Sequence, residues 1–130
     1  MKVAGIPSLE EVDAYPVPEL LVPRLERVYG YSWAEASDLV REAKRMLYLR
    51  VASGQPVNPS MKVDDAWHEM LMFTEFYQEF CAFIGQFIHH KPTPPGSGRV
   101  VKKGGTNTYL ETKKNYEVYF EMKPDPNYWG

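Results

Sequence analysis

The sequence predicts an all-α protein: one domain over residues 1–130, built as a bundle of four or five helices around a central aromatic-rich helix at about 62–84. Three observations support this prediction. Apolar residues recur at three- and four-residue spacing, Ser-x-x-Glu capping boxes precede two of the periodic segments, and glycine follows several of them. The length of 130 residues suits one domain with one hydrophobic core.

Two short helices are predicted near the N-terminus. Ser8 with Glu11 forms a capping box, which indicates a helix beginning there. A second helix follows, because Leu21 and Leu25 have helical spacing and Gly30 is placed to end the segment.

The clearest helix of the first half begins at a second capping box, Ser32 with Glu35. Gly54 closes it, and the prolines and asparagine of residues 54–60 predict a loop. Its apolar positions recur at three and four residues: Ala36, Leu39, Val40, Ala43, Met46 and Leu47.

The most apolar segment follows Ser60, which can cap a helix from about Lys62 to Ile84, with Gly85 ending it. Apolar side chains cover more than half of its circumference, so we expect neighbours on several sides. Its apolar face comprises Trp67, Met70, Thr74, Tyr77, Cys81 and Ile84, widened by Phe73, Phe76, Phe80 and Phe83. The pattern predicts one continuous helix at the middle of the molecule.

The last third combines a loop, a helix and a tail. Residues 91–105 are rich in proline and glycine and predict a loop. Thr106 or Asn107 can cap a last helix through about Phe120, while two short strands over 99–112 are the alternative. The tail, 122–130, is expected to be irregular, with Tyr128 and Trp129 folded back against the core.

Composition narrows the function classes. A net charge of −2 argues against a generally basic nucleic-acid binder, and no apolar run is long enough to span a membrane. The N-terminal apolar run is too short for a signal peptide. The one cysteine, Cys81, fits a reducing cytosol, so the expected location is cytoplasmic.

A candidate metal site begins with Asp64 and His68, which lie four residues apart and so share one helix face. Imidazole with carboxylate is a start for zinc or iron, which need at least three protein ligands. His89 or His90 is the candidate third ligand, with His90 preferred. A continuous helix from Asp64 to Ile84 would be about 30 Å long. The three residues then meet only if that helix kinks, if residues 85–90 run back along it, or if a second chain contributes.

Two other roles are open for the same residues. The structural interpretation is that Asp64 accepts a hydrogen bond from His68 and fixes its ring against Trp67; the catalytic one is acid–base chemistry. Cys81 is interpreted as a buried small hydrophobe with a raised pKa rather than a nucleophile.

A basic segment is the candidate contact surface for a partner. No acidic residue occurs from Phe80 to Leu110. A local basic segment in an acidic protein can bind an anion or an acidic partner surface, and a solvated loop is the alternative. The contact residues predicted in it are His89, Lys91, Arg99, Lys102 and Lys103.

The stretch PSMKVDDAWHEMLMFTEFYQEFCAFIGQFIHHKP resembles the glycine-rich domain-containing protein-like family, in particular its small bacterial members. The matching positions are Asp64, Trp67, His68, Tyr77, Phe80, Cys81, Gly85, His90 and Pro92. The resemblance implies a helical domain in which Trp67, His68, Cys81 and His90 recur together. Met70 stands where many members have a second histidine. Within the pattern, Trp67, Tyr77, Cys81 and Gly85 are expected to be structural.

The leading functional hypothesis is therefore a non-enzymatic binding or regulatory module with a protein partner or a second copy of the chain. The first alternative is a metal-binding protein or metal-dependent hydrolase that uses Asp64, His68 and His90 with zinc or iron. The second is an accessory inhibitor of a protein partner.

Overall fold

The computed structural model describes residues 5–90 and 107–130, in which there are six helices and no strand. The helices are α1 (Leu9–Asp13), α2 (Leu21–Tyr29), α3 (Trp33–Ser53), α4 (Met61–Met70), α5 (Thr74–Ile84) and α6 (Asn107–Phe120). The predicted all-α bundle is confirmed. The predicted proline- and glycine-rich loop at 91–105 lies outside the described residues. None of the described helices combines the length and apolar character needed to cross a membrane.

Local signals place most helix ends. The hydroxyls of Ser8 and Ser32 accept hydrogen bonds from the third backbone N–H of their helices in complete capping boxes. At the start of α4, the Ser60 hydroxyl accepts a hydrogen bond from the amide of Val63, and the valine side chain cannot complete a capping box. Gly30 and Gly54 take left-handed conformations, with φ of 79° and 68°, and end α2 and α3. A residue with a Cβ is strained in that conformation, so these glycines are suited to the ends predicted for them.

The predicted continuous helix over 62–84 is wrong, because the chain breaks between α4 and α5. At the break the amide of Met72 bonds to the carbonyl of Glu69, and that of Phe73 to Met70, so the pattern tightens from four residues to three. Phe73 then leaves the helical region, with φ −101° and ψ 75°. The aromatic segment therefore forms two helices, and the described bundle has six rather than four or five.

The helix at the centre of the bundle is α3, not the aromatic segment. It contacts every other described helix. Its 21 residues bury apolar side chains on several sides, including all six positions predicted from its periodicity: Ala36, Leu39, Val40, Ala43, Met46 and Leu47. Both helices of the aromatic segment, α4 and α5, pack against α3. Tyr15 packs against α5, and its ring centroid lies 5.2 Å from that of Phe80.

A buried carboxylate links the centre of the bundle to its C-terminal part. Glu42 is 1% exposed, and its Oε1 accepts hydrogen bonds from the Tyr116 hydroxyl at 2.6 Å and the Trp129 indole at 2.9 Å. Arg45 donates to the same Tyr116 hydroxyl at 2.8 Å and forms a two-bond ion pair with Asp13 at 2.7 and 2.9 Å. This network joins α1, α3, α6 and the tail.

The C-terminal helix and tail follow the sequence prediction. α6 occupies Asn107–Phe120, so the alternative strands are excluded for residues 107–112, while 99–106 lie outside the described residues. The tail is irregular, and both Tyr128 and Trp129 are buried. The Tyr128 hydroxyl donates to Asp38 at 2.7 Å, which holds the tail against the first turns of α3.

We predict that Glu42→Gln lowers the free energy of unfolding by about 3–5 kcal/mol, the range typical of breaking a buried ion pair. The amide keeps one acceptor but turns donor hydrogens toward the guanidinium groups of Arg41 and Arg45, which lie 3.1 and 3.5 Å from Glu42 Oε2. Urea denaturation measures the change. The control is Glu111→Gln on the exposed face of α6, which should shift stability by less than about 0.5 kcal/mol. Equal effects in the two variants would contradict the prediction.

Candidate functional site

The break between α4 and α5 brings His90 against α4. Its Nε2 lies 2.9 Å from Oδ1 of Asp64, and both side chains are largely buried, at 14% and 6% exposure. The His90 ring centroid is 4.3 Å from that of Trp67 and 5.3 Å from that of His68. The three predicted metal ligands are therefore neighbours within one chain, and no second chain is required to bring them together.

The return of the chain after α5 supplies the rest of this geometry. Gly85 ends α5 in a left-handed conformation with φ of 103°. The amide of Gln86 bonds to the carbonyl of Cys81 at 3.0 Å, and the Phe87 ring packs 5.5 Å from that of Tyr77. Residues 86–88 thus run back along α5. This is one of the three arrangements that we expected could bring Asp64, His68 and His90 together.

The hydroxyl of Tyr77 joins the three segments of the site. It accepts a hydrogen bond from the Trp67 indole at 3.1 Å and donates one to the carbonyl of Ile88. Burial raises the pKa of Tyr77, so the hydroxyl keeps its proton and remains a donor at neutral pH. One side chain therefore connects α4, α5 and residues 86–90, which we call the return segment.

Cys81 belongs to the packed interior of this region. It is a free thiol and is buried. Burial raises its pKa, an effect that hydrogen bonds with the Ile88 backbone and the Tyr77 hydroxyl oppose in part. A neutral, covered thiol is a poor nucleophile, in keeping with its interpretation as a small packing residue.

The Asp64 pairing differs from the one predicted. The ring that Asp64 holds against Trp67 is that of His90, whereas His68 is exposed. Asp64 pairs with His90 because the return segment brings that ring to α4. A continuous helix over 62–84 would have kept His90 away from Asp64. Among residues 5–90 and 107–130, no group of three or more His, Cys, Asp or Glu side chains is arranged to hold a metal ion.

The exposed side of the site carries an aromatic residue that the sequence analysis missed. Phe87 is 47% exposed, and its ring centroid is 4.8 Å from that of the exposed His89. A single phenylalanine after a helix-ending glycine carries no signal of exposure. We call the six side chains that meet here the ring cluster: Trp67, His68, Tyr77, Phe87, His89 and His90.

The other predicted partner contacts continue from the ring cluster along the chain. Lys91 follows His90 directly in the sequence. These contacts, Lys91, Arg99, Lys102 and Lys103, lie outside the described residues, so His89 is the member of that set whose position is known.

We predict that Tyr77→Phe lowers the free energy of unfolding by about 1–3 kcal/mol, because it leaves the Trp67 N–H and the Ile88 carbonyl without their buried partner. Hydrogen exchange at the amides of residues 86–90 should accelerate more than exchange in α3. Denaturation and exchange measured by NMR test both effects. Tyr119→Phe, a half-buried tyrosine of α6, is the control; unchanged exchange at 86–90 in the Tyr77 variant would show that the hydroxyl does not hold the return segment.

Comparison with known proteins gives one match. The model of the UCP032817-like family matches residues 8–108, which is more than three quarters of the chain and includes the whole ring cluster. This match does not show membership of the glycine-rich domain-containing protein-like family, which the sequence was found to resemble. No curated protein and no solved structure matches the chain. The chain belongs to the UCP032817-like family.

Proposed function

We propose that the protein is a non-enzymatic binding module whose partner is an acidic protein surface, and that it acts in the cytoplasm. The observation that carries the proposal is the exposed edge of the ring cluster, formed by Phe87, His68 and His89. In the sequence, Phe87 and His89 come shortly before a segment that contains cations and no acids. Metal binding and metal-dependent hydrolysis are the second candidate.

The exposed rings have the support expected of binding anchors. Phe87 packs against Tyr77, whose hydroxyl is tied to α4 and to the return segment. His89 packs in turn against Phe87, and the neighbouring His90 is held by Asp64. Aromatic side chains that are already ordered lose little freedom on binding, which is why such residues dominate interface energetics.

The distribution of charge supports an acidic partner. Residues 80–110 contain four of the 15 Lys and Arg residues and none of the 17 Asp and Glu residues. The rest of the chain therefore contains 17 acidic and 11 basic residues. The basic segment attracts acidic surfaces, while the acidic remainder of the protein repels them. Together these two effects raise the rate at which an acidic partner meets the basic segment in a productive orientation. An accessory inhibitor would be one form of this binding activity.

The second candidate draws on a different observation. Asp64, His68 and His90 adjoin one another although 26 residues separate the first from the last. Imidazole and carboxylate groups are ligands of zinc and iron, and a hydrolase of this type also needs an open position for water. Oδ1 of Asp64 is already hydrogen-bonded to Nε2 of His90, so this oxygen can bind a metal ion only if the pair rearranges.

We predict that the double variant Lys102→Glu, Lys103→Glu slows association with the partner by at least about tenfold, because it removes the steering charge. The partner is first identified by cross-linking to the wild-type chain with mass spectrometry, and then purified for binding kinetics at two salt concentrations. The matched control is Lys113→Glu, Lys114→Glu on α6, which changes the net charge by the same amount.

A third variant tests the rings separately. Phe87→Ala should raise the dissociation rate while leaving the salt dependence of association unchanged, since it removes an apolar anchor and no charge. Unaltered kinetics in the Lys102 and Lys103 double variant, or an equal loss in the control pair, would overturn the proposal. A partner that proves to be only a second copy of the chain, seen by native mass spectrometry, would replace it with self-association.

A further inference from the structure

The guanidinium of Arg45 has one donor that lacks a short, strong acceptor. Its Nε and Nη2 atoms donate to the Asp13 carboxylate at 2.9 and 2.7 Å, and Nη1 donates to the Tyr116 hydroxyl at 2.8 Å. Nη1 carries a second hydrogen. In the part of the chain that the structure describes, its other contacts are Oε2 of Glu42 at 3.5 Å and Sδ of Met122 at 3.6 Å. The first contact is long for a guanidinium, and the second is to a thioether, which is a weak acceptor.

The backbone after α6 places Met122 beside this donor. The helix ends at Phe120, and Glu121 follows with φ of 56°, a left-handed conformation in which a residue with a Cβ is strained. The chain turns there, and the sulfur of Met122 lies against Arg45 on the central helix. Met122 is nevertheless 40% exposed, so a small oxidant in solution reaches it.

An oxygen atom on this sulfur supplies the acceptor that Nη1 lacks. A sulfoxide oxygen is polar and lies about 1.5 Å from its sulfur. With the sulfur 3.6 Å from Nη1 and an angle of about 115° at the oxygen, the oxygen is about 2.7 Å from Nη1. That distance is typical of a charge-assisted hydrogen bond, so the oxidised side chain fits the guanidinium where it already lies.

We propose that Met122 is a modification site that acts as a redox switch: a peroxide oxidises its thioether to the sulfoxide, which then fastens the end of α6 to α3 through Arg45. The sulfur lone pair attacks one oxygen of hydrogen peroxide, an S–O bond forms and the O–O bond breaks. The sulfur is oxidised by two electrons, the peroxide is reduced to water, and no bond of the chain is cleaved. Methionine sulfoxide reductases reverse this modification.

The test compares thermal unfolding of the full wild-type chain and of Met122→Leu, each before and after treatment with hydrogen peroxide. Peptide mass spectrometry locates the added oxygens. Oxidation should raise the Tm of the wild type by about 2–6 °C relative to its effect on Met122→Leu, because a hydrogen bond to a charged group is gained. The comparison cancels the oxidation of Met61 and Met72, which are 56% and 63% exposed and occur in both proteins. Enzymatic reduction of the sulfoxide should restore the original Tm.

The donor is identified with a second pair of variants. Arg45→Lys keeps the positive charge but removes Nη1, so oxidation of Met122 should leave its Tm unchanged or lower. Each variant is compared with its own untreated form, which separates the effect of oxidation from that of the substitution. Arg50→Lys, which alters a half-buried arginine of the same helix, is the control and should respond to peroxide like the wild type.

Three results would overturn the proposal. A Tm of the oxidised wild type that falls or stays constant relative to Met122→Leu would show that the sulfoxide gains no bond. A rise of the same size in Arg45→Lys would mean that the oxygen bonds to another group. Mass spectra in which Met61 and Met72 gain oxygen while Met122 does not would show that the sulfur is shielded from the oxidant.

Discussion

The turn at Leu71–Phe73 is the constraint from which the ring cluster follows. An unbroken helix over the same residues would hold the two ends of the aromatic segment about 30 Å apart. With the turn in place, five residues after Gly85 suffice to carry His90 to Asp64. The Tyr77 hydroxyl then closes the arrangement, because it bonds to both α4 and the return segment.

Buried charges define how the helices around α3 are paired. Glu42 and Lys44 lie on α3, Asp64 and Glu69 on α4, and all four are largely buried. Each has at least one partner on another part of the chain: the Lys44 ammonium, for example, donates to the carbonyls of Asp13 and Tyr15 at 2.9 Å each. Such pairs add little net stability over apolar contacts. If the helices packed in another arrangement, however, a buried charge would lose its partner, and that loss would destabilise the alternative arrangement.

Helix ends were predictable where one or two neighbouring residues determine them, as at Ser32, Ser60 and Gly54. The break at Leu71–Phe73 was not, because it contains no proline or glycine and interrupts a pattern so apolar that either a straight or a broken helix satisfies it. The site shows the same division. Asp64, His68 and His90 were recognisable as candidate ligands from their residue types, but their proximity depends on tertiary packing that no local pattern encodes.

The way the tail ends has a practical consequence for anyone preparing the protein. The indole of Trp129 bonds to Glu42 inside the bundle, and the carbonyl of Gly130 accepts from the Tyr109 hydroxyl at 2.8 Å. Clipping the final residues would therefore strip an interior carboxylate of a donor, and an affinity tag joined at that end would have to begin beside a packed indole.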